Sequence, residues 1–226
     1  MSIAAALKSR ISVRAFLDKP VAEATLRAVL DVARWSPSGG NLQGWKVIAV
    51  AGPARDEVVA LARRTMAANP DGEAGEHPIY PPHLGEPWRT RRYKVGEDMY
   101  KLLGVPREDR PARLRWVARN FEFFGAPVGL FFVIDRSMGN GQWAHLGMFM
   151  LAVALAAQEA GLGTCMQESW AQVRQSLHAH FKLASHELIY CGMAVGHADP
   201  AAPVNRLRSE RAPVDEIAVF KGFAAA

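Results

Sequence analysis

The feature that most restricts the fold is the apolar run VGLFFVID at residues 128–135, which has no polar side chain before its last residue. Such a run is typical of a β-strand that is buried on both faces. Two further apolar runs, at residues 45–51 and 188–195, predict two more strands. Apolar residues at helical spacing predict helices over residues 22–35, 54–68, 107–124, 141–161 and 170–182. Helices outnumber strands and do not alternate with them regularly, which favours an α+β fold over a doubly wound sheet.

The most apolar segment, residues 145–163, predicts a core helix. Gln158 and Glu159 interrupt it before it is long enough to cross a bilayer. The N-terminal residues MSIAAALKSRISVR lack the apolar segment and small-residue cleavage site of a signal peptide. We therefore expect a cytoplasmic protein with no membrane partner. Cys165 and Cys191 stand in apolar surroundings outside any C-x-x-C motif, so we expect buried free thiols.

The charge balance indicates an anionic ligand without deciding its class. The chain of 226 residues has a formal net charge of +5, which suits anionic small molecules as well as nucleic acids. The run WRTRRYK at 88–94 mixes basic and aromatic residues as single-strand-binding surfaces do, but no nucleic-acid-binding motif accompanies it. The seven histidines show no metal-ligand spacing. We expect neither a nucleic-acid nor a metal partner.

The sequence GNGQWA at 139–144 fits part of a dinucleotide-binding fingerprint. Three residues separate it from the preceding strand, and no βαβ unit precedes it. A turn followed by a helix start is the better interpretation.

The first candidate ligand site is RISVR, residues 10–14. In an extended chain Arg10, Ser12 and Arg14 point to one face, where a guanidinium and a hydroxyl could hold a phosphate. A solvated basic face is the alternative, and from this stretch alone it is the favoured one.

The second candidate is SPSGGNLQGW, residues 36–45. Gly39 and Gly40 permit a close approach of the backbone to a flat ligand, while Asn41 and Gln43 offer donors and acceptors to a heterocycle. A helix end followed by a tight turn explains the same residues.

Two later stretches are also candidates. TCMQESW at 164–170 would present backbone N–H groups to a ligand, or use Ser169 to cap the next helix. NRLRSERAP at 205–213 gathers Arg206, Arg208 and Arg211, for which a solvated surface is the alternative.

Residues 69–97 carry many Pro, Gly and basic residues and predict a long irregular loop. Loops of this length are usually functional or disordered. The aromatic residues Tyr80, Trp88 and Tyr93 argue against disorder.

In combination, these stretches resemble the FMN-dependent nitroreductase family along essentially the whole chain. The resemblance rests on KSRISVRAFLDKPV, ARWSPSGGNLQGWKVIAV, NFEFFGAPVGLFFVIDR, WAHLGMFMLAVALAAQEAGLGTCMQESW and YCGMAVGHADPAAPVNRLRSERAPVDEIAVFKGF. It implies one FMN-binding domain over residues 1–226, with a flap inserted at about 69–124. It further implies an α+β sandwich, in which helices surround a mostly antiparallel sheet, and an intertwined homodimer with FMN at the interface.

The resemblance also assigns residues to the cofactor. Arg10 and Ser12 would hold the phosphate and ribityl end with Arg208 and Arg211, and Arg14 would sit near the N1 edge of the ring. The partner subunit would bring a turn onto the flavin with Pro37, Ser38, Gly39 and Asn41, and Gln43 would be close by. Gln167 and Glu168 would offer backbone contacts near N5 and O4. The pocket for the electron acceptor would be lined by Tyr80, Trp88, Arg89, Tyr93, Phe121, Phe123 and Phe124.

The activity implied by the resemblance is NAD(P)H-dependent reduction of nitroaromatic compounds by ping-pong hydride transfer through FMN, with NADPH the favoured donor. No residue need act as an acid, so the protein would contribute positioning and electrostatics. Alternatives are another acceptor such as an enone, a quinone or a halide, fragmentation of the flavin itself, or a non-enzymatic flavin- or nucleic-acid-binding protein.

Overall fold

The computed structural model describes residues 2–76 and 78–223. Its helices are α1 (Ile3–Ser9), α2 (Glu23–Ala33), α3 (Gly52–Ala68), α4 (Trp88–Leu102), α5 (Arg110–Ala118), α6 (Asn140–Glu159), α7 (Arg174–His180) and α8 (Val214–Ile217). Its strands are β1 (Trp45–Ala51), β2 (Val128–Asp135), β3 (Gly163–Gln167) and β4 (Glu187–Gly196). Short 3-10 turns cover Gly39–Asn41, Arg119–Gly125, Glu168–Val173 and Pro203–Arg206.

The strands form one antiparallel sheet in the order β1-β2-β4-β3. β2 and β4 are central, so the most apolar strand of the sequence pairs on both sides. β1 and β3 form the two edges. The predicted α+β class with a mostly antiparallel sheet is confirmed.

Helices cover both faces of the sheet, which explains why the apolar run of β2 is continuous. Leu130 and Phe132 join a core formed with α2 and α6. Phe131 and Val133, which alternate with them, join a second core with α3 and α7. A strand alternates its side chains between two faces, so both sets must be apolar when both faces are covered.

A register shift changes the face that the β4 side chains occupy. The β2–β4 pairing slips between Phe132 and Val133, opposite Cys191 and Ile189, so that Tyr190 is the extra residue. Leu188 lies in the α2–α6 core before the shift, and the odd-numbered positions from Cys191 onward lie there after it. A β-bulge produces this change of phase by inserting one residue.

The three phenylalanines expected in the acceptor pocket lie in the core instead. Phe121, Phe123 and Phe124 are at most 7% exposed and belong to the α3–α7 core. The Phe123 ring lies 4.5 Å from that of Trp170 and occupies the space that a side chain at Gly129 would fill. The prediction was wrong because an aromatic run gives no indication of whether it faces a ligand or the interior.

The stretch predicted as a helix over 107–124 is α-helical only in α5, and a 3-10 turn follows over Arg119–Gly125. Phe123 and Phe124 have φ of 51° and 53°, a left-handed conformation that the sequence pattern does not indicate. Strand β3 was also missed, because its five residues GTCMQ are short and partly polar.

The predicted loop 69–97 ends early, since α4 begins at Trp88. The irregular part is held in place by carboxylates. Glu73 accepts hydrogen bonds from the backbone N–H groups of Gln175 and Ser176, and Glu76 pairs with Arg136 at 2.7 Å. Loop 69–87 is thereby anchored to α7 and to the end of β2.

Cys165 and Cys191 are buried free thiols, as predicted. Burial raises the pKa of both, that of Cys191 to about 12. Among the described helices, none combines the length and apolarity that crossing a membrane requires.

We expect Gly129→Ala to destabilise the fold, because its Cβ would lie 2.2 Å from the buried Phe123 ring. Overpacking of this kind costs about 1–3 kcal/mol, which lowers Tm by several degrees in a chain of this size. The control is Gly96→Ala in α4, where no atom lies within 4 Å of the added carbon. Thermal unfolding followed by circular dichroism measures both, and an unchanged Tm for Gly129→Ala would contradict the packing described.

Candidate active site

A cavity of about 560 Å³ collects cationic side chains from both ends of the chain. Its lining includes the cations Lys8, Arg10, Arg14, Arg208 and Arg211, and no carboxylate among the described residues. Ser12 and Ser209 add hydroxyl groups, and the apolar part of the wall is Leu7, Ile11, Val95, Leu151 and Leu207. Charge of one sign beside an apolar wall suits an anion that carries a flat, apolar body.

The first three candidate residues reach this cavity because the chain is extended along the edge of the sheet. Ser12 forms a parallel bridge with Thr164 of β3, and the N–H of Val13 donates to the Thr164 carbonyl at 2.9 Å. Val13 is 3% exposed and packs over Gly163. Val13 points inward, whereas Arg10, Ser12 and Arg14 line the cavity, as predicted; Ile11 lines it too, so the alternation is not strict before Ser12.

The C-terminal cations are held by backbone carbonyl groups. Arg208 donates to the carbonyls of Asn205 and Leu207 at 3.0 Å, and Arg211 donates to Ser209 and Glu210. Arg206, the third arginine of this run, is exposed and does not line the cavity.

Helix α4 lines one side of the cavity with Val95 and forms ion pairs with the C-terminal segment that contains Glu210 and Glu216. Lys94 pairs with Glu210 at 3.1 Å, and Arg91 pairs with Glu216. Glu210 lies between Arg208 and Arg211 in the sequence but does not line the cavity, and its carboxylate pairs with Lys94.

The turn at residues 37–43 does not line the cavity of its own chain. Gly40, Asn41 and Gln43 have φ of 49–58°, which the turn requires and which Gly and Asn accept readily. The N–H of Gly39 lies 3.3 Å from Nδ1 of His145, near the start of α6. Leu151, which lines the cavity, lies about 9 Å further along the axis of α6 than His145, at 1.5 Å per residue. The turn is largely exposed and available to another molecule.

Gln167 and Glu168 follow the end of β3, but their side chains have different surroundings. The Gln167 side chain is 1% exposed and donates to the Asn120 carbonyl at 2.8 Å, so it is structural. Glu168 is half-buried and hydrogen-bonded to Tyr190. Burial raises the pKa of Glu168, and the Tyr190 hydrogen bond opposes that rise. Backbone contact of these two residues with a ligand stays a prediction.

The remaining pocket candidates lie outside the cavity lining, on or near α4. Tyr80, Trp88 and Tyr93 are 51–59% exposed. Arg92 stacks on Tyr80 at 3.9 Å, and Arg89 pairs with Glu86 at 2.7 Å. None of the residues of α4 or α5 is buried, so this part of the chain forms an outer surface.

Several residues of the cavity lining were not predicted from the sequence. Lys8 precedes the first candidate motif by only two residues, and its charge was the signal that could have indicated it. Val95 and Leu151 come from α4 and α6, and no local pattern distinguishes them from other apolar helix residues. Within the residues that the structure describes, no group of three or more His, Cys, Asp or Glu side chains is arranged to hold a metal ion.

Comparison with known proteins gives a consistent result. Residues 7–197 match the model of the nitroreductase family. The chain is 35% identical over 219 residues to 4-nitrobenzoate reductase of Pseudomonas putida, covering 97% of this chain and 95% of that protein. It is 33% identical over 214 residues to nitrobenzene nitroreductase of Ectopseudomonas oleovorans, covering 95% and 94%.

Solved structures agree with these sequence matches. The FMN and NADPH-dependent nitroreductase NfnB from Sphigopyxis sp. strain HMH superposes with a TM-score of 0.96 at 40% identity, covering 99% of this chain and 100% of that one. NfnB from Mycobacterium smegmatis, solved in complex with NADPH, superposes at 0.90 with 26% identity, covering 96% and 97%.

We expect Glu168→Gln to stabilise the fold at pH 8 and to have no effect at low pH. A raised pKa in the folded state means that ionisation of Glu168 costs stability, and this cost appears as the pH rises from the ordinary value of 4.5 through the folded value. The amide keeps a hydrogen-bonding group for Tyr190 without the charge. Urea unfolding between pH 4 and pH 8 measures the difference.

Glu159→Gln is the control, since Glu159 is an exposed residue at the end of α6. A stabilisation by Glu168→Gln that is the same at pH 4 and pH 8 would contradict the burial of an ionised carboxylate.

Proposed function

The chain belongs to the nitroreductase family, and we propose that it is an FMN-dependent oxidoreductase that uses NADPH to reduce nitroaromatic compounds. The observation that carries this proposal is the cavity lined by Arg10, Ser12, Arg14, Arg208 and Arg211. Both relatives named above are reductases of nitroaromatic compounds. Both solved neighbours are FMN-dependent.

The groups that line the cavity fit FMN. A phosphate monoester carries up to two negative charges at neutral pH, and arginine binds phosphate oxygens through paired N–H groups. We assign the phosphate to Arg10, Ser12, Arg208 and Arg211. The apolar residues of the wall, among them Val95 and Leu151, offer contact to the less polar part of the molecule.

Arg14 is assigned to the N1 edge of the ring, because negative charge accumulates there on reduction. A permanently charged guanidinium fixed at that edge favours the reduced form. The Arg14 backbone is held by a hydrogen bond from its N–H to Oδ1 of Asn205 at 2.9 Å, so the position from which its side chain extends is fixed.

FMN, when bound, supplies the ring that takes a hydride from NADPH and passes two electrons to the acceptor, so that one NADPH reduces the nitro group to nitroso and a second NADPH reduces the nitroso group to the hydroxylamine. Gln167 and Glu168 are proposed to present backbone groups near N5 and O4. Tyr80, Trp88, Arg89 and Tyr93 are exposed residues of the flap proposed at 69–124, and they are proposed to border the acceptor. The chain contributes binding, orientation and a fixed field, and no side chain is required as an acid.

We propose that the working unit is a homodimer. Ala144, Gly147, Met148 and Leu151 lie on one exposed stripe of α6, and residues 146–157 of this helix carry no polar side chain. Leu151 also lines the cavity, so a second copy packed on the stripe would adjoin the cavity. The turn containing Pro37, Ser38, Gly39, Asn41 and Gln43, which is exposed in its own chain, would then reach the partner's FMN.

The C-terminal residues support the same assembly. Val219, Phe220 and Phe223 are 61–82% exposed, which leaves much apolar surface uncovered by this chain. Exposed apolar patches of this kind mark interaction surfaces. Residues 214–223 would wrap around a second copy, which agrees with an intertwined dimer. The location we propose is the cytoplasm, whose reducing environment suits cysteines that remain free thiols.

The test of the proposed function is an anaerobic visible spectrum of the purified protein before and after NADPH, and again after a nitroaromatic compound. We expect flavin absorbance that bleaches with NADPH and returns with nitrobenzoate. A colourless protein that takes up no FMN would refute the proposal. Bound FMN that never bleaches would leave a flavin-binding protein, and formation of a benzimidazole under oxygen would indicate flavin fragmentation.

Arg14→Ala is expected to slow the reduction of bound FMN by NADPH about 10- to 100-fold, because it removes the cation at the edge where negative charge develops. Stopped-flow absorbance under saturating NADPH measures the step. Arg63→Ala, which removes an exposed arginine outside the cavity, should leave the rate unchanged. An Arg14→Ala rate equal to that of the parent would contradict the assignment.

Met148→Glu is expected to dissociate the dimer, because it places a charge on the apolar stripe of α6. Sedimentation velocity should give about twice 24.7 kDa for the parent and 24.7 kDa for the variant, with loss of FMN in the variant. Lys182→Glu, at an exposed position just after α7, is the control for added negative charge. A parent protein that sediments as a flavin-loaded monomer would refute the dimer.

A further inference from the structure

Asn205 is a buried amide that joins three separate stretches of backbone beside the cationic cavity. Its side chain is 8% exposed. Oδ1 accepts from the N–H of Arg14 at 2.9 Å, and Nδ2 donates to the carbonyls of Ala15 at 2.8 Å and Asp199 at 2.9 Å. The carbonyl oxygen and both N–H groups of the amide are therefore in use.

The backbone of Asn205 also forms hydrogen bonds, one of them with a cavity arginine. Its N–H donates to the Ala202 carbonyl, which closes the 3-10 turn Pro203–Arg206. Its own carbonyl accepts from Nη1 of Arg208 at 3.0 Å. One residue thus contacts the backbone of one cavity arginine and the guanidinium of another, although these arginines are 194 positions apart in the sequence.

The backbone on either side of Arg14 is held by the sheet, whereas the N–H of Arg14 itself is held by the Asn205 side chain. The N–H of Val13 bonds to Thr164, and the N–H of Leu17 bonds to His197 at 2.9 Å. The Arg14 N–H lies between these points and bonds to the Asn205 amide instead of to a strand. The position of Arg14 relative to Arg208 therefore depends on this side chain.

We propose that Asn205 is a positioning residue for the cofactor site, setting Arg14 and Arg208 at the separation that the phosphate and ring of FMN require. Only an amide presents one acceptor and two donors without charge at this length. Aspartate would lose both donors, and an apolar side chain would leave the N–H of Arg14 without its partner. The inference rests on the proposed function, since it takes FMN as the ligand of this cavity.

The experiment compares Asn205→Ala with the parent by two readouts on the full-length protein. The first is the affinity for inorganic phosphate of protein freed of flavin, measured by calorimetry. The second is the midpoint potential of bound FMN, measured by equilibration with a reference dye. We expect phosphate affinity to fall about tenfold or more, because Arg208, no longer tied through Asn205 to the Arg14 backbone, would lose a charged hydrogen bond to phosphate. We expect the potential to become more negative because Arg14 is displaced.

Thr65→Val is the matched control, because Thr65 is equally buried at 8% and its hydroxyl bonds to Ser176 between α3 and α7. Both variants should lower Tm, but only Asn205→Ala should change the phosphate affinity and the potential. If Asn205→Ala lowers Tm while both readouts match those of the parent, Asn205 is merely structural and the inference is wrong.

Asn205→Gln provides a second variant if the alanine protein does not fold. It keeps the amide but displaces it by one methylene, so we expect the same two changes in smaller size, and parental values would overturn the inference. The phosphate titration also separates this inference from the proposed function. A parent that binds phosphate but not FMN would refute the function, while the effect of Asn205 on phosphate affinity would still be measured.

Discussion

The covering of the central sheet on both faces is the constraint on which the rest of this structure depends. β2 and β4 carry apolar side chains on both sides, so two helical layers must enclose them. Aromatic rings lie so close to the sheet that Gly129 and Gly192 have no room for a side chain. With both faces occupied, the edges of the sheet remain for function, and the cationic cavity lies beside the β3 edge.

A non-strand segment runs along the β3 edge, beside which we propose the cofactor site. Residues 12–17 bond to Thr164 and His197 at isolated points instead of forming a continuous ladder. Arg14 therefore projects from backbone that the sheet does not fully satisfy, and the side chain of Asn205 completes the hydrogen bonding. A segment held in this way keeps its cations in place, whereas a regular edge strand would present a row of backbone groups open to pairing with another chain.

The parts of this molecule that were predictable from sequence are those with a local periodic signal. The strands at 45–51 and 188–195 and the long core helix were predicted within about two residues. Arg10, Ser12 and Arg14 were placed on one face by simple alternation, although their ligand came from resemblance to a family. The phenylalanines at 121–124 were misplaced because burial is a property of distant neighbours such as Trp170. Asn205 was not singled out at all, since two partners of its side chain, Arg14 and Ala15, lie about 190 positions away and no local pattern marks them.

The cavity also explains why ligand binding and stability should be linked in this protein. Five cationic side chains lining one cavity repel each other, and no carboxylate among the described residues lies in its wall to offset them. The protein holds Arg208 and Arg211 by backbone carbonyls, which orient the guanidinium groups but cannot neutralise them. A bound phosphate would offset part of that repulsion, and a ligand that binds only the folded state stabilises it by mass action. The cationic charge that favours an anion in this cavity is thus an unfavourable term for the ligand-free chain, so binding of the proposed FMN should raise the stability of the fold as well as supply the chemistry.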